Sequence, residues 1–399
     1  MSSQNTMIKK IQKLFKPLAS LKLTVVIFAL SLFLIFAGTL AQVHQGIWTV
    51  VDEYFRSVFV SIELQIFVPK EVQVLPGSIW FPGGLTLGVA MFINLIAAHV
   101  ARFKFTKKRI GIIMTHFGVI LLLVGEFVTG FAAEEGNMTI LEGETVNFVE
   151  DIRTPEIAVI DRSSPDDDLV VVIPERYMGT GKTITNGLLP FTIEMTEWMP
   201  NSQMFGPAQS DPLRRALADS GIASELTALP APRANGVDGA TVDTPSAYIT
   251  LKDGDTRIGS YLISVYVEEP QLVTVDGKEY WIGLRFKRTY KPYSIELIDF
   301  KHDLFTGTQM ARNFSSDVRL VDTAKNVDRE VLIYMNHPLR HAGETFYQAS
   351  FLRGDTGTVL QVVKNPGWLI PYVSCIIVTL GMLIHFGIRM IPALRRSSK

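Results

Sequence analysis

The chain has 399 residues, 47% of them hydrophobic, a single cysteine and a formal net charge of −1. The lone Cys375 excludes an internal disulfide, and a basic nucleic-acid face is contradicted by the roughly −15 that remains once the clustered basic residues are set aside. Fourteen of the basic residues, with no acid among them, lie in segments 1–22, 102–109 and 389–399, which leaves the rest of the chain at about −15.

Taken in chain order, a basic tail (1–20) leads into a first apolar span, 21–43. Its length exceeds the roughly 7–15 residues of a signal-peptide core, so it reads as a retained anchor, although Ala37-Gly38-Thr39 offers small residues for cleavage. In the outer loop 44–84, Ile47, Val50, Val51, Tyr54, Phe55, Val58 and Phe59 recur at three- and four-residue intervals. That pattern predicts an amphipathic interfacial helix, with Trp80-Phe81 marking re-entry into the membrane. The second span, 85–101, is interrupted by Asn94 and His99, and a basic loop (102–109) joins it to the third span, 110–133. A fourth span, 367–390, precedes the tail 391–399.

Each span approaches the roughly 20 residues that cross about 30 Å of hydrocarbon. The basic segments then place both termini and the 102–109 loop in the cytoplasm. Residues 134–366 read as a β-rich domain outside the membrane, with ten short strand-like runs between Leu169 and Val363, among them Tyr280–Thr289 and Ser294–Asp299. Within it, 201–244 reads as a flexible insertion carrying one helical candidate, Pro212–Thr227. The expected fold is an integral membrane protein: four transmembrane helices and a large extracytoplasmic antiparallel β-sandwich-like domain between helices 3 and 4.

Three spans carry a histidine near their basic end: His99, His116 and His385. An ionisable ring in hydrocarbon faces a cavity or a partner, and neutral imidazole is an axial ligand of haem iron. At about 1.5 Å per residue, His99 lies about 4 to 5 Å inside Arg102, His116 about 10 Å inside Arg109 and His385 about 6 Å inside Arg389. All three fall in the cytoplasmic half, where Lys104, Lys107, Lys108 and Arg109 would attract propionates. The bland alternative is a ring that snorkels to water, and it weighs more on His385 and His99 than on the deeper His116. The glycines at 111, 118 and 125 beside His116 form a stripe that admits another backbone. Glu126, the sole carboxyl within a span, has two open readings: paired with His44 or with a partner subunit it serves as a proton or haem-propionate contact, or it belongs to a buried structural pair. His337 and His341 are four apart but flank Pro338, so they read as two exposed histidines on a turn and not as a zinc site.

Several segments resemble the ResB (CcsB) family of cytochrome c biogenesis proteins. They are Ser20–Leu40, Ile93–Gly125, Lys291–Leu320 and Met335–Phe351, the most specific part being Asn336-Pro338-Leu339-Arg340 to Gly343-Thr345-Phe346-Tyr347-Gln348. Where that family often has a Tyr-Lys pair before the glycine, this chain has His341-Ala342. The resemblance implies a bacterial inner-membrane, multi-pass subunit of the System II cytochrome c synthetase, paired with a CcsA-like membrane subunit. It implies haem b held transiently and shared with that partner, an apocytochrome c acceptor, and a thioredoxin-like thiol reductant as a further candidate partner. It also suggests a transmembrane histidine at the position of His116, making this the first choice of axial ligand, with the opposite ligand from the partner or from His99. The family's tryptophan-rich haem loop belongs to the CcsA half, and the five tryptophans here are scattered singly. The chain is thus expected to be a non-catalytic subunit of a haem lyase complex, not an enzyme on its own. The competing readings are a membrane cytochrome b with haem between His99 and His116, and a haem-free envelope anchor.

Overall fold

The computed structural model describes residues 15–68, 73–102, 106–165, 167–206, 209, 212–234, 242–267, 269–304, 307 and 311–397. Residues 1–14 of the expected basic tail, Lys104, and the side chains of His44, Arg102 and residues 391–399 lie outside the described set. The chain divides into a helical unit, built from the residues up to 133 and from 365 onward, and a β-rich unit from 134 to 364.

The helical unit contains α1 (Leu21–Gln45), α2 (Gly84–Arg102), α3 (Ile110–Ala132) and α4 (Ile370–Ser397), each with a stretch long and apolar enough to cross a membrane. Only α4 departs noticeably from its expected span, continuing to Ser397. Asn94, which interrupts the second span, is 4% exposed, and α1 together with the turn before it satisfies it. The Thr24 hydroxyl donates to its Oδ1 at 2.7 Å, and its Nδ2 donates to the Leu18 carbonyl at 2.6 Å. A polar side chain in the middle of an apolar helix is tolerated because both halves of its amide are paired.

The glycine stripe of α3 is buried, and its occupant is α4 of the same chain. A Cβ on Gly111 would lie 2.5 Å from the backbone nitrogen of His385 and 2.7 Å from the Gly381 carbonyl. On Gly118 it would lie 2.6 Å from Val378 Cγ2, and the reciprocal Gly381 would meet the Thr115 nitrogen at 2.7 Å.

The amphipathic helix expected in 44–84 is shorter than its pattern. Over the patterned residues helical structure runs through Ile47–Val50 and a π-helical turn, Val51–Phe55, with a separate 3-10 turn at Leu64–Phe67. Beyond it the apolar residues alternate, and β1 (Phe59–Glu63) pairs antiparallel with β2 (Ser78–Pro82), Val60 opposite Phe81 and Ile62 opposite Ile79. Val60 and Ile62 point inward with Tyr54 and Val50 onto Leu34, Ala37 and Ala41 of α1. Three- and four-residue spacing that ends in an alternating β-branched pair supports a helix only up to the switch of period.

The β-rich unit holds two main cores. In the first, the sheet of β6 (Thr183–Ile184), β7 (Thr192–Met199), β10 (Ser246–Asp253) and β11 (Thr256–Ser264) packs on β5 (Leu169–Pro174), β12 (Gln271–Val275) and parts of two long strands. Those strands are β4 (Thr145–Asp161) and β13 (Lys278–Leu304). This half is the expected sandwich. The runs Tyr280–Thr289 and Ser294–Asp299 prove to be one strand, with Pro292 seated where the pairing to β4 skips from Tyr290 to Ile295. Proline lacks the N–H a ladder needs and is tolerated at such a bulge.

The second half departs from a sandwich. The larger sheet runs β15-β14-β13-β4-β3-β18-β17-β16. Its remaining members are β3 (Glu134–Leu141), β14 (Ala311–Asp322), β15 (Val327–Tyr334), β16 (Leu339–His341), β17 (Glu344–Phe351) and β18 (Gly357–Lys364). It curls around its own core of Met138, Ile140, Ile295, Leu297, Val318, Leu320, Phe346 and Leu360. Ser316 of β14 donates to Gln348 Oε1 of β17 at 2.6 Å and lies 2.9 Å from Thr358 Oγ1 of β18, joining strands far apart in the sheet order.

In 201–244 the described residues are packed and not loose. β8 (Ser202–Phe205) pairs with β9 (Thr227–Pro230), and Ala218, Ala223 and Ala228 join Met199, Tyr248 and Leu262 in a small core. The helical candidate Pro212–Thr227 shrinks to the single turn Pro212–Arg215 and the 3-10 turn Gly221–Ser224, because Gly221 takes φ 64°, outside the helical region.

The β16–β17 hairpin closes through Ala342 and Gly343, at φ 50° and 80°. A left-handed backbone costs an L-residue with a Cβ about 1–2 kcal/mol, and two-residue hairpin turns of this kind favour Asn-Gly. Ala342→Asn is therefore expected to stabilise the full chain by about 0.5–1 kcal/mol, read as a rise in its denaturation midpoint. An unchanged or lower midpoint would show that the turn is not strained.

Candidate functional site: the histidine pair of the helical unit

The structure brings two of the three expected histidines together. His99, in the last turn of α2, and His116, in the second turn of α3, have ring centroids 5.1 Å apart with planes at 68°. The neighbouring Gly111, Thr115 and Gly118 are taken up by α4, which leaves the His116 side of α3 to face α2. His99 Nδ1 lies 2.8 Å from the Leu95 carbonyl. A carbonyl only accepts, so Nδ1 carries the proton and Nε2 the lone pair, the form in which imidazole ligates a metal. His385 is brought to the α3–α4 seam by its backbone against Gly111, but its ring stands beside Phe386, at 5.7 Å between centroids, and does not join the pair. Lys107, Lys108 and Arg109 form an exposed 3-10 turn directly before α3.

The pair fits haem iron in one way and not in another. A ligating nitrogen stands about 2.0 Å from its metal and the ring centroid about 1.1 Å further, so two ligands on opposite faces of one iron need centroids on the order of 6.2 Å apart. At 5.1 Å, tilted edge to face, the two rings are too close for an iron between them. Either ring suits a single axial bond, with the opposite one supplied from elsewhere.

Glu126 is exposed on α3, and among the described residues it makes no ion pair. His44 cannot be placed as its partner, since that side chain is outside the described set.

The β-rich unit holds polar clusters that the sequence did not announce. Glu344, 6% exposed, accepts from Lys291 Nζ at 2.5 Å and from the Tyr293 hydroxyl. Burial first, then the hydrogen bond to Glu344 and its charge, push the Tyr293 hydroxyl above its ordinary range. The His341 ring stands edge-on to Tyr293 at 5.0 Å, and its Nε2 lies 2.8 Å from Asp322 Oδ2. Burial raises the Asp322 carboxyl, but the hydrogen bonds from His341 and the Lys325 amide hold it below the usual range. His341 is thus not the exposed turn residue its spacing suggested: its side chain is 8% exposed and its Nε2 is held by Asp322. His337 is exposed as expected, stacked parallel on Tyr334 at 4.7 Å. His302 is held by Asp355 at 3.1 Å among Phe314 and Phe351. Glu344 with Lys291 and Tyr293, His341 with Asp322, and His302 with Asp355 are 19 to 53 residues apart, so no local motif signals these pairs.

Beside this network, Tyr334, Met335, Asn336, Arg340, Tyr347 and Gln348 line a cavity of about 430 Å³. Residues 260–359, which contain that cavity and most of the curled sheet, match the model of the ResB-like family. In this region, a quarter of its length, the chain is similar to the ResB-like family. It is also 26% identical over 303 residues to Protein NrfI of Wolinella succinogenes, an alignment covering 74% of this chain and 29% of that protein. The chain therefore spans under a third of that relative's length. Among solved structures it is similar to Cytochrome c Heme Lyase CcmF, at 11% identity over 76% of this chain and 30% of that one, with a TM-score of 0.22, too low to carry an argument. The ResB-like match lies within the β-rich unit and covers less than half of it, and the histidine pair lies outside it.

Proposed function

We propose that this ResB-like chain is a haem-binding, non-catalytic membrane subunit of a cytochrome c maturation complex. It holds haem b transiently from within the membrane and passes it outward, with a CcsA-like subunit, for attachment to apocytochrome c. The observation that carries the reading is the convergence of His99 and His116 at the ends of α2 and α3 next to the basic segment. In this reading both termini are cytoplasmic, the β-rich unit is extracytoplasmic in the bacterial inner membrane, and Lys107, Lys108 and Arg109 hold the propionates. Bound haem would supply the iron that an imidazole ligates and the vinyl groups that cysteines of the acceptor attack.

His116 is the assigned ligand because it lies deeper and its helix is fixed against α4. His99 beside it, with Nδ1 held by the Leu95 carbonyl, would present Nε2 as an alternative nitrogen donor to haem iron. The 5.1 Å separation weighs against a cytochrome b that clamps haem between these two rings, and favours an opposite ligand from the partner subunit. Glu126, on an exposed face of an apolar helix, is assigned to that partner, since a lipid-facing carboxyl is costly.

The test is haem content of the chain co-purified with its CcsA-like partner. His116→Ala is expected to lower it at least about tenfold, by the loss of an axial bond, and to abolish c-type cytochrome maturation. Haem retained in full by His116→Ala, or normal maturation in cells lacking the gene, would overturn the proposal.

A further inference from the structure

We propose that the inner end of the α3–α4 pair is a binding site for the phosphate of an anionic phospholipid, with Lys107, Lys108 and Arg389 on the headgroup and Phe386 and Met382 along an acyl chain. It rests on the membrane reading of the four helices and not on the binding of haem.

The glycine seam brings the cations together. Gly111 packs on the His385 nitrogen, Gly118 on Val378 and Gly125 on Ile370, so each step of seven along α3 is matched by a step of seven or eight back along α4. Continued one turn inward from Gly111 and His385, that antiparallel register sets Arg389 level with Lys107, and the 107–109 turn lies against α4. Two segments far apart in sequence thus contribute to one patch. Lys107, Lys108, Arg109 and Arg389 are all exposed, and among the described residues none of them makes an ion pair. Residues 102–133 and 365–399 hold one acid, Glu126, about 25 Å away along α3. Like charges gathered without a counter-charge repel one another, and a bound anion removes that cost.

Shape selects a lipid over a free anion. Arg389, Phe386 and Met382 fall at i, i−3 and i−7, on one face of α4, and the two apolar side chains are 55% and 45% exposed. A cation at the inner end of an apolar row that climbs into the hydrocarbon matches a phosphate below its acyl chain, as in the basic pockets between transmembrane helices that take anionic headgroups. His385, one turn above Arg389, lies at the depth of the ester carbonyls, which accept an imidazole N–H. Lys107 and Lys108 are also the residues assigned to the propionates above, so lipid and haem would compete for them and the test uses the haem-free chain.

The probe is phosphatidylglycerol, titrated into the full chain in neutral detergent, with phosphatidylcholine of the same acyl chains and inorganic phosphate as separate arms, and native mass spectrometry counts the lipid retained. Wild type is expected to retain one phosphatidylglycerol with a Kd about tenfold below that of phosphatidylcholine, the difference one charge-assisted bond makes. Arg389→Gln and Lys107→Gln should each weaken phosphatidylglycerol about tenfold and leave phosphatidylcholine unchanged. Lys22→Gln, exposed in the first turn of α1, should change neither. Lys108→Gln, on the exposed turn, serves as a second variant should Arg389→Gln unfold. Equal retention of the two lipids would overturn the proposal by showing no headgroup preference, and an equal loss in Lys22→Gln and Arg389→Gln would overturn it by showing diffuse surface charge in place of a site. Displacement of the lipid by inorganic phosphate at matched ionic strength would overturn it as well, in favour of a free-phosphate site. Failure of the haem reading would appear in the iron content of His116→Ala and would leave this titration unchanged.

Discussion

Gly111→Ala should loosen the α3–α4 pair and destabilise the chain, although the same exchange in an unpacked helix is favourable by about 1 kcal/mol. The added methyl would stand 2.5 Å from the His385 nitrogen and 2.7 Å from the Gly381 carbonyl, both backbone atoms that no rotamer change can move. The helices must separate, and in a membrane that removes the close packing that holds them, since lipid offers no hydrophobic drive for association. The expected cost is on the order of 1–3 kcal/mol for alanine and more for valine. Gly130, on the same helix, is the control: an added methyl there would meet nothing within 4 Å, so Gly130→Ala should be neutral or mildly stabilising. Thermal inactivation midpoints of the two variants in one detergent decide the matter, and equal midpoints would mean that the stripe is not the seam. Because His116 lies five residues beyond Gly111, Gly111→Ala should also reduce haem retention without touching an imidazole.

That seam was legible in the sequence because its signal is local: three glycines at seven-residue spacing in an apolar run. The four long helices were legible for the same reason, length and apolarity being enough. Asn94 looked like a flaw in the second span because its partners, Thr24 and the Leu18 carbonyl, are seventy or more residues away. The histidines at 99 and 116 could be selected one by one from their depth, but only the packing of α2 against α3 sets them 5.1 Å apart. In the β-rich unit the apolar alternation marked the later strands. It passed over β3 and β4, whose Glu134-Glu135, Glu150-Asp151 and Pro155 read as loop chemistry until the long β13 supplies a partner. The curl of the larger sheet was not legible at all, since it depends on Ser316 meeting Gln348 and Thr358 across strands that are not neighbours in sequence.

Lys291→Met is expected to be the most damaging single change in the β-rich unit. Glu344 is 6% exposed and Lys291 12%, so the variant leaves a carboxylate in a low-dielectric interior with only the Tyr293 hydroxyl to compensate it. Removing one member of a buried pair costs about 3–5 kcal/mol, because the survivor keeps its desolvation penalty and loses its attraction. The Tyr293 hydrogen bond moves the expectation toward the lower end of that range. Glu344→Gln in the Lys291→Met background should recover much of the loss, since a neutral amide needs hydrogen bonds but no counter-charge, and the double-mutant cycle should give a coupling well above that of an exposed pair, about 0.2–1 kcal/mol. Denaturant midpoints of the four proteins measure it, and a coupling near zero would mean that the pair contributes no more than a surface one. The network runs on through Tyr293 to His341 and Asp322 beneath the β16–β17 hairpin that carries Arg340. Glu344 starts β17, three residues before Tyr347, so a charge left unpaired there would disturb the hairpin and with it the cavity wall.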